Sequence, residues 1–262
     1  MTAALHISRA RLRTKRGEAL ASIAPILLPA DGSSRVGHAH RLVWILFQDI
    51  PDAARDFLWR DEGDGAFMLL SQRPPTDPHG LFDLDTKPFQ PHLVAGNRLR
   101  FALRANPTMT TKRAGVSARD PRRGKRVDVV MNALKPVPET DWEGRTGRAF
   151  ERDRLVLEAV ADWMMRQGER AGFDVVTGAD EDLFGVDDEP TAARPFIRAT
   201  NYTQVQVERN GAKGRRPAGI SIVDITGEIV VTDPTRFVEK LAQGFGSAKA
   251  FGCGLMLIRR AN

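Results

Sequence analysis

Residues 38–47 read HAHRLVWILF, and they decide the organisation of the first half of the chain. Leu42, Val43, Leu46 and Phe47 recur at helical spacing and Pro51 follows soon after, so one short helix is predicted here. Upstream, residues 3–12 alternate weakly and can form an opening strand. The polar stretch from there to Gly37, which carries Arg11, Arg13, Lys15 and Arg16, reads as a long loop. Downstream, residues 53–59 and 66–72 read as strands around the acidic, Gly-containing turn 61–65, and residues 98–105 alternate towards Asn106-Pro107. Strand, helix, strand, strand, strand is the order of a ferredoxin-like βαββαβ unit, its second helix placed in the Pro-rich 73–97 region or lost from it.

The second half repeats the plan. Residues 149–171 form a strong helical pattern with Val156, Val160, Trp163 and Met164 on one face. Residues 174–189 hold seven carboxylates and no cation and read as a solvated loop. Residues 196–207 and 218–231 are strand-like. Thr232-Asp233-Pro234 starts a helix that runs to Gln243 and ends at Gly244, and residues 254–259 give a last strand. The expected fold is α+β, two tandem ferredoxin-like domains at 1–107 and 125–262. The linker between them, 108–124, belongs to a basic stretch that includes Lys112, Arg113, Arg119, Arg122 and Arg123.

Thirty-nine Lys and Arg against thirty-three Asp and Glu leave a formal charge of +6, which points to nucleic acid or another polyanion. Cys253 is the only cysteine, which rules out an internal disulfide and a Cys-based zinc site and makes a reducing cytoplasm the expected compartment. His6 and Arg9 sit where a signal peptide needs an apolar core, and no run approaches the roughly 18 apolar residues of a membrane helix, so no membrane association is expected.

His40, near the start of the predicted helix, is the first chemical candidate, because an imidazole of near-neutral pKa can exchange a proton with a hydroxyl in reach. Its structural alternative is a packing role on the face of Trp44 and Phe47. His38 lies about 200° away around the helix, so the two imidazoles diverge. No H-E-x-x-H spacing links His6, His79 or His92, and no Gly-x-Ser-x-Gly elbow occurs, so neither a metal nor a serine nucleophile is expected. Arg209, Lys213, Arg215 and Arg216 crowd the tip of a predicted β-hairpin that can track phosphates of an RNA stem or serve simply as a solvated turn. In GFGSAKAFGCGL, 244–255, Gly244 and Gly246 permit close backbone approach, and Lys249 adds a cation that could help cradle a phosphate. The stretch follows a helix and lacks the Rossmann and Walker patterns, so on its own it is equally a helix cap and turn.

This Gly-rich stretch strongly resembles the C-terminal signature of the CasE family, the precursor-RNA endonucleases of subtype I-E Cascade. HAHRLVWILF followed by PDAARDFLW, then LRANPT, then GKRVDVV agree with the family in order, so the resemblance spans nearly the whole chain. It implies recognition of a CRISPR repeat RNA hairpin, cleavage at its 3′ base to a 2′,3′-cyclic phosphate and a 5′-hydroxyl, and partnership with other Cascade subunits without a small-molecule cofactor. The family's catalytic histidine falls on His40. Some members carry a tyrosine three residues earlier, where this chain has Gly37; its sole tyrosine is Tyr202, which leaves His38 or a lysine as candidates to supplement His40. The expected RNA contacts are Lys112, Arg113, Arg209, Lys213, Arg215, Arg216, Gly244, Gly246 and Lys249. Two other classes stand beside this reading. A non-catalytic hairpin-binding subunit would be favoured by an aromatic RNA platform, which GKRVDVVM lacks, and a nucleotide-dependent enzyme would bind ATP or GTP.

Overall fold

In the computed structural model, residues 4–13, 32–50, 54–112, 124–136, 144–178, 194–207 and 218–261 are described. The first sheet contains β1 (His6–Leu12), β2 (Phe57–Gly63), β3 (Ala66–Ser71) and β4 (Phe82–Pro88), antiparallel in the order β2-β3-β1-β4. Helix α1 (Gly32–Ile45) covers one face. Alternation in the strands and 3.6-residue spacing in the helix converge on one core, where Ala39, Leu42, Val43 and Leu46 pack with Ala10, Leu12, Phe57, Trp59, Phe67, Leu69 and Phe82. The opposite face presents Leu5, Leu58 and Leu70 to Leu255 of the second half.

The second half comprises β5 (Arg98–Ala105), the pair β6 (Thr108–Lys112) and β7 (Gly124–Asp128), α2 (Val129–Leu134), α3 (Gly144–Ala171), β8 (Phe173–Val175), β9 (Thr177–Gly178), β10 (Arg194–Pro195), β11 (Ile197–Val207), β12 (Ala218–Val231), α4 (Pro234–Gln243) and β13 (Met256–Arg260). Its main sheet runs β11-β12-β5-β13, with β8 also pairing β12. Both sheets therefore share the fourth-first-third-second order of a ferredoxin-like unit, as the sequence predicts. Val156, Val160, Trp163 and Met164 of α3 join Phe173, Phe237 and Phe245 in the larger core. Asp233 caps α4 by accepting from the Arg236 amide at 3.0 Å, with Pro234 in its first turn.

Four expectations change. The stretch ending at Gly37, expected as loop, is already helical from Gly32. Arg98–Ala105, expected to close the first domain, instead lies between β12 and β13 in the second sheet. Its place in the first sheet is taken by β4, an edge strand in which only Phe82 is buried and alternation is correspondingly faint. The division between the sheets thus falls within residues 89–97, and no helix occurs in residues 72–97. Finally, the expected linker 108–124 contributes the paired strands β6 and β7 at its described ends, with Thr108 opposite Asp128 and Lys112 opposite Gly124.

The halves are also tied by charge. Arg104 on β5 donates from Nε and Nη2 to the two carboxylate oxygens of Asp224 on β12 at 2.9 and 3.0 Å, and from Nη1 to the Asp61 carbonyl on β2 at 3.3 Å. Asp61 in turn accepts two bonds from Arg35 of α1, at 2.7 and 3.1 Å. These contacts set α1 against the second half.

Candidate active site

His40 lies on α1 with its imidazole partly buried. Trp44, one turn on, meets the ring edge-on at 6.2 Å, and Phe251 of the Gly-rich segment lies 5.9 Å away. The Ala250 backbone hydrogen-bonds the imidazole. The Ala250 carbonyl also accepts from Trp59 Nε1 at 3.2 Å, so α1, β2 and the Gly-rich segment meet at one peptide group. The Nδ1 atom of His40 is buried and has no hydrogen-bond partner. Burial pushes the His40 pKa below its usual 6.5 and outweighs the Ala250 bond, which works the other way; the charges of Arg55 and Arg41 push it down further. The neutral imidazole, the form able to accept a proton, is thereby favoured.

The Gly-rich segment is built by close backbone contact. Gly246 has φ +69°, and a Cβ there would meet the Asn106 carbonyl oxygen at 2.7 Å and the Trp163 ring at 3.2 Å. Gly254, at φ +95°, would place its Cβ 2.7 Å from the Phe245 carbonyl oxygen. Only glycine fits either position. The segment is pinned to the start of β6, where the hydroxyls of Ser247 and Thr108 share a 3.0 Å hydrogen bond and Trp163 Nε1 donates to the Thr108 carbonyl at 3.3 Å. The 3₁₀ turn Lys249–Phe251 follows, and its Phe251 is the residue that lies against His40. Burial lowers the Lys249 pKa, and the neighbouring charges of Lys240, Arg55 and Arg126 lower it further.

Of the residues expected from sequence, His40, Gly244, Gly246 and Lys249 belong to α1 and the Gly-rich segment packed against it. The side chain of Lys112 and the whole of Arg113, Arg209, Lys213, Arg215 and Arg216 lie outside the described residues. The strands flanking 208–217 pair up to Val207 opposite Ala218, which is a hairpin's arms. Tyr202 hydrogen-bonds Asp128 at 3.1 Å and Ser221 at 3.5 Å, and burial pushes its pKa up to about 12, so its phenol is committed to the second domain's packing. Gly37 has no neighbouring atom within 4 Å of where a Cβ would stand. Sequence reasoning missed Arg55, Trp59 and Ser247 as residues beside this site. The first two lie inside PDAARDFLW, which was read only as a strand and as part of a resemblance. Among the described residues no three His, Cys, Asp or Glu side chains converge as metal ligands, and no described helix is long and apolar enough to cross a membrane.

The family model described as "CRISPR associated protein" matches residues 5–260. The chain belongs to that family, in its CasE/Cse3 branch. It is 30% identical over 174 residues to "CRISPR-associated endoribonuclease Cse3" of Thermus thermophilus, an alignment covering 66% of this chain and 60% of the relative's length. It is 26% identical over 241 residues to "CRISPR system Cascade subunit CasE" of Escherichia coli K12, covering 89% of this chain and 96% of that protein. In fold, it resembles Cse3 bound to a 19-nucleotide RNA, with TM-score 0.61 and 22% identity over 99% of this chain and 100% of that one. It likewise resembles Cas6e from Escherichia coli K-12, with TM-score 0.53 and 19% identity over 98% of this chain and 100% of that one.

Proposed function

We propose that this protein is a metal-independent endoribonuclease. It binds the repeat stem-loop of a CRISPR precursor RNA, cuts at the 3′ base of the stem, and keeps the product as a subunit of a Cascade-type assembly. The observation that carries this reading is His40, a histidine biased towards its neutral form and set against the Gly-rich segment through Phe251. The Thermus relative is named an endoribonuclease and the Escherichia relative a Cascade subunit, which support the two halves of this reading.

His40 accepts the proton of the 2′-hydroxyl as that oxygen attacks the adjacent phosphorus in line. The bond from phosphorus to the 5′-oxygen breaks, the leaving 5′-oxygen takes a proton from solvent or from the protonated His40, and the products are a 2′,3′-cyclic phosphate and a 5′-hydroxyl. Cationic side chains and exposed amides near the Gly-rich segment stabilise the charge building on the phosphoryl oxygens. The basic segments 112–113 and 209–216 hold the stem through its phosphates, which suits release of the cut strand more slowly than cutting itself.

The test is a paired cleavage and gel-shift assay on repeat RNA in excess chelator, with end-group analysis of the product. Wild type should cut and leave a cyclic phosphate, while His40→Ala should lose at least about 10²-fold in rate and still bind the hairpin. Cutting by His40→Ala within about tenfold of wild type would remove the assigned role. A 3′-hydroxyl product or an absolute need for Mg²⁺ would point to metal chemistry, and tight binding without any cutting by wild type would make this a hairpin-holding subunit.

A further inference from the structure

Seven arginines in the described residues are partly buried: Arg13, Arg35, Arg55, Arg60, Arg73, Arg104 and Arg152. Six of them hold a carboxylate at 2.7–3.0 Å, through Asp83, Asp61, Glu62, Asp56, Asp224 and Asp153 respectively. Arg55 is the exception among the described residues. Asp56, next to it in the chain, is engaged by Arg73 Nε at 2.8 Å. A guanidinium withdrawn from water without a counter-charge is costly, and the cost is recovered when an anion arrives.

The local structure fixes where that anion would sit. Two residues beyond Arg55, the Phe57 ring stacks on Phe47 at 4.1 Å and meets Trp44 edge-on at 5.1 Å; Trp44 in turn lies against His40. Two residues further on, Trp59 holds the Ala250 carbonyl, the group that also bonds the His40 ring. The entry to β2 is therefore clamped from both sides beside His40 and the Lys249 turn. The charge of Arg55 reaches both groups and lowers the pKa of each. Arg41 of α1 also faces His40, and Lys240 of α4 and Arg126 of β7 face Lys249; none of these facing groups is acidic.

We propose that Arg55 is a phosphate-binding residue of this site, its guanidinium forking onto the non-bridging oxygens of the phosphodiester that enters between His40 and Lys249. This rests on the ribonuclease reading above and adds a residue to it. A planar fork suits two phosphoryl oxygens, and positive charge at that point stabilises the pentacoordinate transition state more than the ground state. The charge of Arg55 adds to the burial that lowers the His40 pKa, and a bound phosphate would offset that added charge.

The experiment uses the full chain and its Arg55→Met and Arg55→Lys variants, with folding confirmed by thermal melting. Single-turnover cleavage of repeat RNA is measured at saturating protein across pH 5 to 9. Separately, the His40 ring resonance is followed by NMR in a titration with inorganic phosphate, without RNA. Arg55→Met should cut about 10² to 10³-fold more slowly, as for loss of one preorganised donor to a transition-state oxyanion. Its acid limb should move to higher pH because a cation opposing His40 protonation is gone. Arg55→Lys should recover only part of the rate, and phosphate should perturb His40 saturably in wild type and much more weakly in Arg55→Met. A folded Arg55→Met that cuts within about threefold of wild type with an unmoved acid limb overturns the proposal. Should the methionine variant fail to fold, an Arg55→Lys protein as fast as wild type overturns it instead. If wild type cuts no RNA, the ribonuclease reading fails, and the phosphate titration alone decides whether Arg55 holds an anion.

Discussion

Replacing Gly246 with alanine puts a methyl group 2.7 Å from the Asn106 carbonyl oxygen and 3.2 Å from the Trp163 ring. Neither neighbour can give way. Asn106 bridges to Ser247, and the Trp163 side chain is 2% exposed and tied to the Thr108 carbonyl. The backbone at 246 is left-handed, which costs a non-glycine residue about 1–2 kcal/mol, and overpacking a filled site adds about 1–3 kcal/mol. The expected loss is about 2–5 kcal/mol. Gly96 supplies the control: its φ is +87°, yet no atom lies within 4 Å of a Cβ built there. Gly96→Ala should therefore lose only the backbone part, about 1–2 kcal/mol. Urea unfolding of both variants reads the difference, provided the m-values match that of wild type. Single-turnover cleavage should fall in Gly246→Ala, because the turn that presents Ala250 and Lys249 must shift, and should be unchanged in Gly96→Ala. Equal destabilisation at the two positions would show that the contact with Asn106 and Trp163 does not shape the segment.

Two further outcomes concern charge. Because burial lowers the His40 pKa, the base form persists below the usual histidine range: the acid decline of the cleavage rate should have its midpoint below 6.5, and a midpoint above 6.5 would contradict the environment described for the ring. Neutralising Lys213, Arg215 and Arg216 together should flatten the plot of log hairpin affinity against log salt by about two to three units, equally for cognate and scrambled stems, whereas an unchanged slope would make this hairpin an ordinary solvated turn.

What could be read from sequence divides along physical lines. The α1 turn bearing His40 was legible because its apolar spacing is local, and the Asp233-Pro234 start of α4 because capping is a matter of a few adjacent residues. β5 was legible as a strand but not as a member of the second sheet, since alternation shows a buried face and says nothing of partners; those lie at Val223–Val230 and Met256–Arg260. β4 was missed because FDLDTKP buries a single side chain at a sheet edge. The Gly-rich segment stood out by composition, and the structure supplies the carbonyls and rings that demand those glycines. Arg55 carried no signal at all, because its significance is the carboxylate that none of its described neighbours provides.

The Ala250 carbonyl that binds both His40 and Trp59 has a consequence for how the protein comes into being. Residue 40 leaves the ribosome some two hundred residues before residue 250, and α1 with the first sheet can form its own core in that interval. The second sheet cannot do the same, since β5 waits for β12 on one side and for β13, more than 150 residues later, on the other. During synthesis, then, the imidazole exists without the Gly-rich segment that buries it, and its proton affinity is set by solvent instead of by the protein. The site is completed by a segment made some two hundred residues after the histidine, so a chain interrupted before residue 244 carries His40 without the Gly-rich segment that packs against it.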